Sequence, residues 1–257
     1  KESSGLAFGR SSNVFYTHND FSGPRVRTSG HIFAFDKGGR DLGTWRLRGV
    51  TTHDFEDIAA AVIDRVPVLL IGDTGDAGRR SARSNLTVYV VNEPKTRAGM
   101  AGAGMLDVKM AINLSLGAGT PDCDAMAIDA GSRTLFLISK VPTGKRCEVF
   151  TVPMRAAPVS APHMAKTIAR LNLSNVSGLD ISADGRRAIV STYEGLYLFV
   201  RQAGEDWATA FNAPPMRLPK PPLKKNDGIC FGPDGRTLYL TSENSPTPLW
   251  EVPLVGK

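Results

Sequence analysis

Three acidic residues stand directly before short apolar segments and could together bind a cation: Glu56, Asp124 and Asp227. Serines take the same place before two further segments, at Ser4 and Ser177. Three carboxylates that face one small space repel each other unless a cation, a shared proton or water separates them. Oxygen-only ligands suit Ca²⁺ better than zinc, which prefers His and Cys. The pattern predicts a Ca²⁺ site, or a site for another divalent cation, with a water-filled polar channel as the alternative.

A second group of polar residues ends the apolar segments that follow. From this group we predict Asn19, Thr192, Ser242 and Glu243 as ligand-binding residues, together with the two serines. His18 and Asp73 are the candidates for a catalytic base, because each would lie beside the carboxylates. The alternatives are a loop histidine that only makes hydrogen bonds, and Asx-type loop caps formed by Asp54, Asp73 and Asp76.

These residues recur because the chain contains five repeats. The repeats begin near residues 4, 56, 124, 177 and 227, at intervals of 52, 68, 53 and 50 residues. A period near 50 with short apolar strands is typical of a β-propeller in which each repeat forms one four-stranded blade. The turn sequences Asp184-Gly185 and Asp234-Gly235, and Gly131 in the third repeat, indicate tight hairpins. We therefore predict one all-β propeller over residues 1–257, most simply five-bladed, or six-bladed if a blade precedes Lys1.

The propeller prediction assigns the remaining segments. Residues 58–65 are interpreted as an inner strand rather than a helix, and residues 98–104 as a loop. Fourth strands are predicted at 43–48, 106–116, 165–173 and, weakly, 207–211, whereas the fifth repeat has none. Because the first strand of each blade lines the channel, the five recurring residues should form a ring at one mouth.

Composition excludes several classes of protein. The 257 residues carry a formal net charge of +6, but the basic residues are scattered, so we expect no nucleic-acid partner. No apolar run reaches the roughly 20 residues of a membrane helix. Cys123, Cys147 and Cys230 match no zinc spacing, and one disulfide, between the first two, is an open alternative. The start at Lys1 without Met favours a cleaved export signal, and we expect an exported monomer.

The sequence resembles a family of exported bacterial propeller proteins that is loosely related to phytase-like esterase, gluconolactonase-type and strictosidine-synthase-like propellers. The matching stretches span nearly the whole chain: residues 2–7, 18–20, 55–59, 72–76, 92–94 and 241–243. Relatives tend to carry Glu where this chain has Asp124 and Asp227, so each carboxylate is one methylene shorter here. The resemblance implies the fold and export, but no particular activity.

Three functions are consistent with these patterns. The first is an exported propeller that binds a cation or a small polar ligand at one mouth of its channel. The second is a metal-assisted esterase, lactonase or phosphoesterase, in which the cation polarises the substrate and activates water. The third is a scaffold whose loops bind another protein.

Overall fold

Five small β-sheets form a ring in the computed structural model, which describes residues 3–19, 30–75, 85–96, 102–117, 121–223, 225–243 and 246–254. The first blade contains β1 (Ser3–Phe8), β2 (Phe15–Asn19), β3 (His31–Phe35) and β4 (Asp41–Leu47). The second contains β5 (Phe55–Ile63), β6 (Val66–Asp73), β7 (Leu86–Asn92) and β9 (Val108–Ser115). The third contains β10 (Ala125–Asp129), β11 (Thr134–Ile138), β12 (Cys147–Pro153) and β14 (Lys166–Leu171).

The fourth blade contains β15 (Val176–Ile181), β16 (Arg187–Thr192), β17 (Leu196–Val200) and β18 (Met216–Leu218). The fifth contains β19 (Asn226–Phe231), β20 (Thr237–Ser242) and β21 (Trp250–Pro253). Three short elements lie in the connections: β8 (Gly102–Leu106), β13 (His163–Met164) and the helix α1 (Trp207–Asn212). The prediction of a five-bladed, all-β propeller is confirmed.

Hydrophobic packing between neighbouring blades closes the ring. The inner strands contact one another in the order β1, β5, β10, β15, β19 and back to β1. Each pair of neighbouring blades shares an apolar cluster. Between the fifth and first blades, Phe8 and Phe15 pack against Tyr239, with ring centroids 6.3 Å and 4.8 Å away. Burial of these apolar side chains, which alternate along each strand, provides the main force that holds the sheets face to face.

Two connections cross between blades. The strand β8 pairs in parallel with β4 of the first blade before the chain returns to the second blade as β9. In the same way, β13 pairs in parallel with β9 of the second blade. The prediction of a loop at 98–104 is therefore wrong for residues 102–104, because they complete the outer edge of the first sheet. Residues 98–101 lie outside the described part.

The fourth strand predicted at 207–211 is also wrong, because this segment is helical. The Asp206 side chain caps the helix by accepting a hydrogen bond from the Thr209 N–H. Trp207, Ala210 and Phe211 follow helical spacing and are buried together. The outer strand of the fourth blade is instead β18. The other three fourth strands, and the inner strand β5, are confirmed.

The predicted hairpin turns are present, with one difference. Gly185 and Gly235 adopt φ angles of 64° and 60°, the left-handed conformation that glycine favours. In the third blade this conformation falls on Arg133, with φ 51°, rather than on Gly131. The fifth blade has three described strands, which agrees with the prediction that its repeat lacks a fourth. The three cysteines are free and buried, so the alternative of a disulfide is not realised.

Candidate functional site

β-Bulges in the inner strands redirect the side chains of three of the five recurring residues. In the pairing of β5 with β6, Phe55 is opposite Asp73 and Asp57 is opposite Gly72, so Glu56 is the extra residue of a bulge. Equivalent bulges in β15 and β19 contain Ser177 and Asp227. A bulge leaves its extra residue out of the ladder and redirects its side chain. In these three blades the repeat in the sequence therefore marks an irregularity of the inner strand, whereas Asp124 precedes β10 and Ser4 is paired with His18.

Glu56 and Asp124 lie together with a third carboxylate, Asp122. One carboxylate oxygen from each residue lies within 4.8 Å of the others. Asp122 was missed in the sequence because it stands two residues before the recurring position, in the loop that enters β10. Gly75 allows this approach, since a Cβ there would lie 2.1 Å from Glu56 Oε1. We call Glu56, Asp122 and Asp124 the carboxylate triad; it has the oxygen donors that a hard cation requires.

Lys140 balances part of the triad's charge. Its ammonium forms an ion pair with Asp124, and it lies 5.3 Å from the centroid of the Tyr193 ring. Burial alone would lower the pKa of Lys140, but the charges of Asp124 and Glu56 raise it above its usual range. A cation that binds the triad therefore has to compete with this ammonium group.

Asp227 lies in a second acidic group, which we call the carboxyl pair, with Glu243. Burial raises the pKa of Asp227 to about 7, the nearby Glu243 adds to this rise, and Lys140 and Lys225 oppose it. Lys225 Nζ lies 2.7 Å from Glu243 Oε2. Because Lys140 acts on Asp227 as well as on Asp124, it is electrostatically coupled to both acidic groups. The predicted set of three metal ligands is thus divided between two places at this mouth.

The predicted hydroxyl ligands make contacts within the fold. Ser4 Oγ donates to the Glu56 carbonyl at 3.1 Å, and Ser177 Oγ donates to the Asn226 carbonyl. Both bonds join one inner strand to the next blade. Thr192 Oγ1 accepts hydrogen bonds from two backbone N–H groups in the turn after β16. The two serine hydroxyls therefore join neighbouring blades and the Thr192 hydroxyl stabilises its own turn, and the predicted role of all three in ligand binding stays a prediction.

The residues at the ends of the second strands differ in their surroundings. Asn19 ends β2 opposite Ser3. Ser242 Oγ lies 3.1 Å from the Glu243 carbonyl and 3.3 Å from Thr247 Oγ1. Among these strand-end residues, Glu243 is the one that joins the charged groups at the mouth.

Asp73 caps the loop that precedes β5. Its two carboxylate oxygens accept hydrogen bonds from the backbone N–H groups of His53 and Asp54, at 3.0 Å and 2.9 Å. This is the loop-capping alternative considered from the sequence for Asp73. Its predicted role as a base stays a prediction, and these bonds do not favour it. Asp76 lies outside the described residues.

His18 is fully buried between β1, β2 and β5. Its ring packs edge-on against Phe55 with 5.5 Å between centroids, and neither ring nitrogen has a hydrogen-bond partner of normal geometry among the described residues. Burial lowers the pKa of His18 to about 4, and the nearby backbone of Asn19 and Asp57 opposes this only weakly. A neutral, enclosed imidazole does not favour the predicted catalytic role, which also stays a prediction.

Two carboxyl groups on the propeller axis were not identified as important from the sequence. Asp57 Oδ1 accepts from the Ile58 N–H at 2.9 Å, and Oδ2 accepts from Met126 N–H at 2.9 Å and Leu179 N–H at 3.3 Å. Asp180 accepts from the N–H groups of Ile181 and Phe231. Burial raises the pKa of both, to about 6 for Asp180. These bonds link inner strands of different blades, so we call the two residues the axial carboxyls.

Comparisons with known proteins support the fold. The PQQ-bound form of aldose sugar dehydrogenase from Streptomyces coelicolor is similar over 97% of this chain and 93% of its own, with 13% identity and a TM-score of 0.53. A nidogen/laminin complex is similar over 93% of this chain and 72% of its own, with 13% identity and a TM-score of 0.48. No family model and no curated protein matches the chain. The resemblance to exported bacterial propellers therefore stays a prediction, and the similarity to the sugar dehydrogenase supports the β-propeller fold alone.

Within the described residues, no helix has the length and apolar character needed to cross a bilayer.

Proposed function

We propose that this β-propeller binds a divalent cation, with Ca²⁺ as the first candidate, at the mouth that carries the carboxylate triad. The observation that supports this proposal most directly is the approach of Glu56, Asp122 and Asp124 oxygens to within 4.8 Å of one another. Oxygen ligands without His or Cys are the set that Ca²⁺ prefers. Export of the chain, which the sequence resemblance implies, and a monomeric state belong to the same proposal.

Lys140 compensates part of the negative charge of the proposed site when no metal is bound. Its ammonium neutralises Asp124 in the metal-free protein, which reduces the repulsion among the three carboxylates. A divalent cation brings more charge and can be bound by several oxygens at once, so it displaces the ammonium toward Tyr193 and the carboxyl pair. Asp227 then contributes as a nearby negative charge rather than as a ligand in the triad.

Thermal and chemical unfolding in Ca²⁺ tests this proposal. Ca²⁺ at 100 times its Kd should raise the free energy of unfolding by about 2.7 kcal/mol. Glu56→Gln should remove most of this gain, and without metal it should be neutral or stabilising because it removes like-charge repulsion. Lys140→Met should lower stability without metal and tighten Ca²⁺ binding, because the competing ammonium is gone. Asp107→Asn, which removes an exposed carboxylate elsewhere, is the matched control.

A flat response of the wild type to Ca²⁺, Mg²⁺ and chelator would overturn the cation proposal. The protein-binding scaffold would then be the surviving function. Weaker Ca²⁺ binding in Lys140→Met would contradict the competition between the Lys140 ammonium and the cation.

A metal-assisted hydrolase is the second candidate, and the titration of Asp227 supports it. A carboxyl group with a pKa of about 7 can accept and return a proton at neutral pH, which is the requirement for a general base. Lys140 couples this group to the triad, where a cation would polarise a carbonyl or phosphoryl oxygen. In this candidate Asp227 has the role that the sequence assigned to His18 or Asp73.

Hydrolysis of a nitrophenyl ester, a nitrophenyl phosphodiester and a gluconolactone tests the second candidate. Turnover should require the divalent cation and should be lost in Asp227→Asn, while Ca²⁺-dependent stabilisation is retained. Metal binding without turnover of these three substrates would contradict hydrolysis of these classes and would leave the binding function standing.

A further inference from the structure

A cavity of about 210 Å³ lies at the opposite mouth of the propeller, where the inner strands end. Its walls are mostly apolar and come from three neighbouring blades: Ala61 and Val62 near the end of β5, Ile128 in β10, and Ile181 in β15. Arg10 also lines this cavity and is its one cationic residue. A charged group in an otherwise apolar cavity is typical of a site that orients a small ligand.

Arg10 is held in place by bonds that leave most of its guanidinium group available. The Glu93 carboxylate accepts hydrogen bonds from the backbone N–H groups of Arg10 and Ser11, which fixes the loop between β1 and β2. Arg10 Nε donates to the Ala60 carbonyl at 3.0 Å. Within the described residues, its two terminal nitrogens have no hydrogen-bond partner and it forms no ion pair. The charge of Arg10 also lowers the pKa of the nearby Asp180, whose carboxylate accepts hydrogen bonds from backbone N–H groups and forms no ion pair with the guanidinium.

We propose that this cavity binds a small carboxylate with a short apolar body. The terminal nitrogens of a guanidinium match the two oxygens of a carboxylate in a bidentate pair. The apolar walls favour a hydrocarbon body of the same ligand. The volume is below the roughly 300 Å³ at which pockets for drug-sized ligands begin, so the ligand has only a few carbon atoms. This site lies at the other mouth from the carboxylate triad and does not depend on the proposed function.

Butyrate is the probe, and titration followed by ¹H–¹⁵N NMR both measures and locates its binding. We expect saturable shifts at the amides of Ala61, Ile128 and Ile181. Arg10→Gln should weaken binding by about tenfold or more, as expected for loss of a hydrogen-bonded charged partner. Arg186→Gln removes the same charge from the same end of the molecule and is the matched control, with binding within about twofold of the wild type. Butylammonium should not bind at this cavity.

Two further variants keep the proposal open to refutation. Ala183 lines the cavity and is exposed, so Ala183→Phe should block the site without disturbing the core, even if Arg10→Gln fails to fold. Lys140→Met, at the other mouth, should bind butyrate as the wild type does. The proposal is wrong if the wild type shows no saturable shift, if Ala183→Phe binds butyrate normally, or if Lys140→Met loses binding. Equal binding of butyrate and 1-butanol would also overturn it, because Arg10 would then contribute nothing.

Discussion

Glu56 and Asp57 are neighbours in the chain, yet they belong to two regions that use negative charge differently. The bulge in β5 sends Glu56 to the mouth, where its neighbours are the side chains of Asp122 and Asp124. Asp57 points to the axis, where its partners are three backbone N–H groups from three blades. The mouth contains charged side chains that can rearrange, whereas the axis contains fixed donors of the backbone.

This difference distinguishes carboxyl groups that can bind a ligand from carboxyl groups that stabilise the fold. A carboxyl group that satisfies buried backbone N–H groups cannot leave them without a large loss of stability, because each unpaired donor is costly. A carboxylate whose partner is a flexible lysine can exchange that partner for a ligand. The mouth is therefore the candidate site, and the axial carboxyls hold the inner strands of different blades together.

Loss of Asp57 should have the largest effect. Asp57→Ala leaves the N–H groups of Ile58, Met126 and Leu179 unpaired and should lower the free energy of unfolding by about 3–5 kcal/mol. Chemical denaturation measures this change. Glu56→Gln is the matched control at the next residue and should change stability little. If the two variants lost similar stability, the distinction between mouth and axis would be wrong.

Acid unfolding should depend on His18. The pKa of this side chain is about 4 in the folded protein and near 6.5 in the unfolded chain. Between these values the unfolded chain binds a proton that the folded chain does not, so stability falls as the pH falls from about 6.5 to about 4. The loss should total about 3 kcal/mol by pH 4. In His18→Leu the acid limb of a stability–pH curve should be shallower; an unchanged limb would show that His18 is not held neutral.

Asp227 should produce the opposite slope. Its pKa is raised to about 7 in the folded protein, so the folded state holds a proton that the unfolded chain has released. Stability should therefore fall as pH rises from about 4 to about 7, by at most about 1.4 kcal/mol per pH unit. Asp227→Asn should flatten this slope. The difference is clearest near pH 7, above the pKa of about 6 of Asp180.

Lys225 should have the smallest effect. Its ion pair with Glu243 is half exposed, so Lys225→Met should change stability by less than about 1 kcal/mol. Because the charge of Lys225 lowers the pKa of Asp227, the same variant should raise that pKa further. A ¹³C NMR titration of the Asp227 carboxyl group measures the shift. A fall in this pKa would contradict the assignment of Lys225 to the carboxyl pair.

The sequence alone predicted a propeller of five blades, with six left open, its inner strands, and a mouth lined by the recurring polar residues. These features follow from local patterns: apolar strands repeat near every 50 residues, and Gly185 and Gly235 supply the left-handed conformation that tight hairpins need. Segment 207–211 was predicted wrongly because a short apolar run fits both the strand period and the helix period. The N-cap provided by Asp206 favours the helix.

Tertiary structure alone decided which carboxylates meet. Asp122 joins Glu56 through the packing of β10 against β5, a contact with no spacing that a sequence pattern could reveal, whereas Lys140 reaches Asp124 within one hairpin, from the end of the paired strand β11. The separate roles of Glu56 and Asp57 depend on one extra residue in one strand pairing. A bulge changes the face on which each side chain lies, and whether a bulge forms depends on the strands packed beside it.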